Sequence, residues 1–175
     1  MRLRPSVFAV LLLACSWAQA ATTPLDQAQT LWLAGHRSEA VAEINVALKR
    51  SPEDLKLRFT LGVYSMEMKD LSTALNIFTG LTRDFPDLAD PYNNLAVIRA
   101  SQGDLDQARA DLEQALRLQP DHAQAQENLG DVLLRLALRA YQRAEKSLIA
   151  PSDSLAVKLQ QTQFLVLKLT PSSKP

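Results

Sequence analysis

Apolar residues in this chain fall into columns. Ala40, Ala74 and Ala108 are each followed four residues later by a large apolar residue, Ile44, Phe78 or Leu112, and three residues after that by Ala47, Leu81 or Ala115. Steps of four and three keep each triplet on one face of a helix. Twelve residues before each triplet stands a further small residue, Ala28, Gly62 or Ala96, and Gly130 falls where a fourth copy would place it. A proline closes each copy, at Pro52, Pro86 and Pro120, so the pattern repeats every 34 residues. This register predicts two antiparallel helices per repeat. Small residues on both let the axes approach to about 8–10 Å, and the large residue fills the groove between them. Overpacking such a contact costs about 1–3 kcal/mol, which keeps the small positions small. The proline ring cannot continue the hydrogen-bond ladder, so the second helix of each pair ends there. A period of this length is the mark of a stacked-helix array.

Local signals refine the boundaries. Glu53, Asp87 and Asp121 follow the prolines, where negative charge complements the start of the next helix. Asp90-Pro91 reads as an N-cap followed by a first-turn proline, which starts a helix near Asp90. The fourth copy begins normally, but after Asp131 no glycine, proline, asparagine or aspartate interrupts the chain as far as Ala150. Leu129, Val132, Leu133, Leu136, Ala140, Ala144 and Leu148 run on at helical spacing. One long helix is the simpler expectation, with a short pair turning around Leu138 as the alternative. Pro151 stops that helix, and Ser152 or Asp153 caps another carrying Leu155, Leu159, Phe164, Val166 and Leu169. The stretch from Phe164 to Leu169 also alternates as a strand would.

On these residues the chain resembles the tetratricopeptide-repeat family over roughly residues 22–136. Tyr92-Asn93-Asn94-Leu95-Ala96 with Gly103-Asp104-Leu105-Asp106-Gln107-Ala108 is the best-matching copy. Gly35 keeps the inner turn of the first repeat, Lys69-Asp70 replaces it in the second, and Leu31, Ser65 and Arg99 stand where the family carries a late aromatic. The resemblance implies an all-α fold, a right-handed α-solenoid of antiparallel helix pairs. Its units would span 21–54, 55–88 and 89–122, with an atypical fourth at 123–150, a capping helix at 151–169 and a disordered tail at 170–175. It also implies a non-enzymatic scaffold that binds a protein or extended peptide in a concave groove lined by the first helix of each pair. By register the groove residues are Trp32, Phe59, Val63 and Met66, then Asn93, Asn94 and Val97, then Asn128, Asp131 and Arg135. The groove would be apolar early and polar late. Asn94 and Asn128 share one column and would form a ladder of amides able to bond a peptide backbone. Trp32, Phe59 and Met66 also fit a core role. Leu25, Gln29, Phe59 and Val63 occupy places where lysines would clamp a terminal carboxylate, which argues against chaperone tails as ligands.

Charge and composition narrow the partners. Lys+Arg 19 balance Asp+Glu 19 and 47% of residues are hydrophobic, so no strong field attracts nucleic acid or acidic lipid. Residues 1–20 read as a signal peptide: Arg2 and Arg4, an apolar run from Val7 to Ala14, then Ala18-Gln19-Ala20. The run is too short to span a bilayer, and no membrane span is expected after its removal. The protein is therefore expected in the periplasm. Leu12-Leu13-Ala14-Cys15 also resembles a lipobox, so Cys15 is a possible lipidation site on an outer-membrane lipoprotein. Cys15 is the single cysteine, and His36 and His122 lie at separate turns. No metal site, cofactor or catalytic pair is expected from such a set. Three readings follow: a periplasmic adaptor, a membrane-tethered assembly factor for envelope, pilus or secretion machinery, and a subunit whose apolar surfaces drive oligomerisation.

Overall fold

A computed structural model describes residues 22–150 and 152–169. The signal segment, Cys15, Pro151 and the tail from 170 lie outside the described residues. Among the described residues eight α-helices follow one another: α1 (Pro24–Leu33), α2 (Arg37–Arg50), α3 (Leu55–Glu67), α4 (Leu71–Asp84), α5 (Ala89–Ser101), α6 (Leu105–Leu118), α7 (Ala123–Ser147) and α8 (Asp153–Leu169). Each helix packs against its neighbours in sequence, and α5 also touches α7. The result is an all-α solenoid of antiparallel pairs. Phe164 to Leu169 is helical, and α7 runs through Leu138 without a turn.

The columns of the sequence are the core. Ala40, Ala74 and Ala108, and the fillers Ile44, Phe78 and Leu112, are all completely buried. Gly62 shows why its column stays small: a Cβ there would lie 2.8 Å from Cζ of Phe78. The inner turns share one arrangement. The backbone N–H of His36, Asp70 and Asp104 reaches back to the carbonyls of Leu31, Ser65 and Arg99, each at 2.9 Å. Such a closing bond requires a left-handed residue just before it. Gly35 and Gly103 supply it at φ 85° and 84°, and Lys69 adopts φ 65° in the second repeat. Asp70 reinforces that turn by accepting from the backbone N–H of Thr73.

The outer turns follow from the prolines. Ser51, Phe85 and Gln119 precede them and end the second helices at φ −137°, −133° and −138°. Crowding by the proline ring drives the preceding residue out of the helical region, so each helix stops there. The acidic residues after the prolines stand outside the helices. Asp54 caps α3 through the Leu57 N–H, and His122 caps α7 through the Ala125 N–H. α5 begins at Ala89, so Leu88 rather than Asp90 is its N-cap, without a side-chain bond, and Asp90 sits in the first turn. Its carboxylate instead lies 3.0 Å from Nε2 of His122. With Nδ1 accepting from Ala125, the ring is the tautomer that donates to Asp90 through Nε2.

The C-terminal end departs from a polar cap. Leu155, Leu159, Thr162, Val166 and Leu169 lie on the covered side of α8, while Val157, Phe164 and Leu165 are about half exposed on the other. Gly130, in the column of Gly62, is exposed and a Cβ there would meet nothing within 4 Å.

Candidate interaction groove

Two cavities are lined mainly by residues of the odd-numbered helices. The first, about 320 Å³, lies among α1, α3 and α5. Leu25, Leu55, Phe59, Leu88 and Pro91 make it apolar, and Lys56, Thr60 and Asp90 complete its lining. The second, about 510 Å³, lies between α5 and α7 over Leu112 of α6. Ala96, Val97, Ala100 and Val132 line its base, and Ser101, Asn128, Asp131 and Arg135 its polar side.

One column explains why the surface is filled at one end and open at the other. Trp32, Met66 and Ala100 stand 34 residues apart in the same place on α1, α3 and α5. Trp32 stacks on Tyr64 with ring centroids 3.7 Å apart and planes 6° from parallel, and the Arg37 guanidinium lies 5.1 Å from its centroid. That sandwich fills the step between the first two repeats. Met66 packs partly buried against the core, together with Val63 and Phe59. At Ala100 the same place is nearly empty, and the second cavity opens.

The groove residues expected from register therefore separate. Phe59 lines the first cavity while its ring meets Phe78 edge-on at 5.5 Å, so it is both core and lining. Val97, Asn128, Asp131 and Arg135 come together in the second. Trp32, Val63 and Met66 line neither cavity. Asn93 is buried, only 7% exposed, and its Oδ1 accepts from Nδ2 of Asn128 at 2.8 Å. Asn94 donates back to the carbonyl of Asp90 in its own helix. One of the two amide N–H groups of Asn94, and one of Asn128, is thus engaged within the protein. An asparagine one turn into a helix reaches its own backbone as easily as a ligand.

Charge on the groove is likewise divided. Arg99, in the column of the missing aromatic, pairs with Asp111 of α6. Burial pushes the Asp111 carboxyl above its ordinary range, opposed by the Arg99 charge. By contrast, Asp131 and Arg135 have no side-chain hydrogen-bond or ion-pair partner among the described residues. Sequence reasoning missed Lys56, Leu88 and Pro91 at the first cavity and Ala100 at the second. The 34-residue register carried the signal for Ala100, because comparing the three residues of its column shows the loss of bulk. Among the described residues no group of three or more His, Cys, Asp or Glu side chains could hold a metal ion. No described helix is long and apolar enough to cross a membrane.

Comparison with known proteins agrees with this architecture. Residues 97–137 match the family model for the TPR repeat. The mouse protein O-mannosyl-transferase TMTC1 is 36% identical over 98 residues, which are 54% of this chain and 10% of that protein. Protein FlbA of Caulobacter vibrioides is 34% identical over 80 residues, 46% of this chain and 13% of that one. The chain thus spans little more than a tenth of the length of these relatives. Among solved structures, the first TPR of Spaghetti bound to the HSP90 peptide SRMEEVD superimposes with a TM-score of 0.61 at 18% identity, covering 65% of this chain and 90% of that one. YrrB, a TPR protein with an unusual peptide-binding site, gives 0.55 at 25% identity over 59% and 54%. MamA from Desulfovibrio magneticus gives 0.58 at 18% identity over 86% and 80%. With its 34-residue register, its paired helices and the TPR repeat matched at residues 97–137, the chain resembles tetratricopeptide-repeat proteins along its array.

Proposed function

We propose that the protein is a non-enzymatic interaction scaffold that holds a protein or extended peptide along the surface of its odd-numbered helices. The observation that carries this reading is the pair of cavities lined mainly by the odd-numbered helices, one apolar and one with a polar side. An apolar pocket flanked by a few polar groups suits a bulky anchoring side chain, the kind of contact that dominates interface energy. Spaghetti with its HSP90 peptide and YrrB with its peptide-binding site support peptides as the ligand class. The signal-like residues 1–20 support a periplasmic location, and Cys15 supports tethering as a lipoprotein in its place; the mass of the mature N-terminus separates the two. Leu88→Asp tests the groove. Leu88 forms the exposed lip of the first cavity and is the uncapped N-cap of α5, so aspartate there supplies a missing cap while removing the apolar lip. Partners captured by the wild-type domain from an envelope extract are expected to be lost by the variant, with melting temperature kept or raised. Equal capture by both would sink the reading.

A second reading has its own observation. The outer face of α8 carries half-exposed Val157, Phe164 and Leu165, an apolar surface on the end of the array where a terminal unit is ordinarily polar. Such a face favours assembly. A chain that remains strictly monomeric in light scattering at high concentration excludes it.

A further inference from the structure

The second cavity combines three features that the first lacks. Its apolar wall is made of small groups, Ala96, Val97 and Ala100, which leave a slot with room for an aliphatic side chain. On its polar side stand a carboxylate and a guanidinium, Asp131 and Arg135, four residues apart on α7 and on the same face. Neither is paired, although both are half-buried and aspartate four residues before arginine is the favourable order for a helical ion pair. Other charges nearby are already matched: Arg99 to Asp111 and Arg139 to Asp106. An unpaired charge of each sign beside an apolar slot is complementary to a ligand that brings both an anion and a hydrogen-bond donor.

We infer that this cavity is the specificity subsite of the groove, and that it reads an internal glutamate in an extended partner segment. The glutamate carboxylate meets the fork of Arg135, a planar donor pair suited to bidentate carboxylate binding. A backbone N–H of the same residue donates to Asp131. The charged ends of Asp131 and Arg135 stand too far apart to pair with each other, and a glutamate bridges such a gap from its own N–H to its carboxylate. A chain-terminal carboxylate lies too close to its own N–H for that span and would crowd Asp131. Side chains of an extended segment alternate, so a residue two positions away points to the same side. An aliphatic residue there, such as valine, packs into the slot over Ala96 and Ala100.

The inference rests on the groove reading above, and its test separates the two. The probe is an array of nine-residue peptides with amidated C-termini, carrying Glu, Gln or Lys at the centre and Ala or Val two positions away. A second set has Gln at the centre and a free C-terminal carboxylate. The purified domain is expected to retain the Glu-centred amidated set. Arg135→Gln is expected to weaken that binding about ten-fold or more, as for loss of a charged hydrogen-bond pair. Arg135→Glu is expected to move the preference to Lys-centred peptides. Melting temperature is expected to stay unchanged in Arg135→Gln, because Arg135 holds no partner in the fold, and to fall only slightly in Arg135→Glu, which sets a like charge four residues from Asp131. Retention only of free C-termini, or an unchanged profile in Arg135→Gln, overturns the subsite. If peptides still bind and are lost only in Leu88→Asp, the subsite fails while the groove stands; if no peptide binds, both fall.

Discussion

At the scale of single residues, the same amino acid in the same repeat position has opposite meanings. Gly62 and Gly130 occupy one column, and both lie inside helices, where glycine costs roughly 1 kcal/mol relative to alanine. At Gly62 that cost is offset by packing. An added methyl would press on the fully buried ring of Phe78 at 2.8 Å and on the Ile77 side chain at 3.2 Å. Phe78 is enclosed by the core and cannot swing aside, so Gly62→Ala is expected to lower stability by about 1–3 kcal/mol from overpacking, less the gain in helix propensity. At Gly130 nothing lies within 4 Å, so Gly130→Ala is expected to raise stability by about 1 kcal/mol. Urea unfolding of the two variants checks both signs. A stabilising Gly62→Ala would mean that the helix pair is looser than its geometry states.

At the scale of helices, what the sequence made legible was whatever depended on local chemistry in register. The ends of α2, α4 and α6 were readable because proline acts on its immediate neighbour, and the burial of Ala40, Ile44 and Ala47 with their counterparts followed from spacing alone. The long α7 was readable too. At the place where the other repeats turn through Gly35-His36, Lys69-Asp70 and Gly103-Asp104, it carries Ala137-Leu138, two strong helix formers. Helix starts were less legible. The cap of α5 was read as Asp90, but extended backbone at Leu88 begins the helix one residue earlier, freeing Asp90 to meet His122. Side-chain pairing across helices was not legible at all. That Asn128 would turn to Asn93, or that Arg99 would find Asp111 in place of an aromatic contact, depends on rotamers set by three-dimensional neighbours. The candidate site was therefore half visible: register located Val97, Asn128, Asp131 and Arg135 together, while the void at Ala100 and the engaged amides required the packed structure.

At the scale of the whole molecule, the carboxylates set how the stack responds to acid, and they do not all act in the same direction. Hydrogen bonds from Thr23 lower the pKa of Asp26, those from Thr73 that of Asp70, those from Arg83 and then Arg58 that of Asp84, and that from Arg139 that of Asp106. A carboxyl group whose folded value is depressed contributes stability above its unfolded value, near 3.9, and loses it as pH falls through the folded value. These four sites span the array from α1 to the α6–α7 contact, so the stack as a whole weakens below about pH 4. Asp111 opposes them. Its value is raised by burial, so its contribution is fully present below the unfolded value and is lost as pH rises through the folded one. In acid it therefore compensates part of what the other four lose. Asp111→Asn removes that compensation while keeping an oxygen to accept from Arg99. The fall in urea midpoint between about pH 7 and pH 3 is then expected to be larger in the variant than in the wild type, by the linkage of proton binding to folding. An equal or smaller fall would show that the Arg99 charge, rather than burial, governs Asp111 in the folded stack.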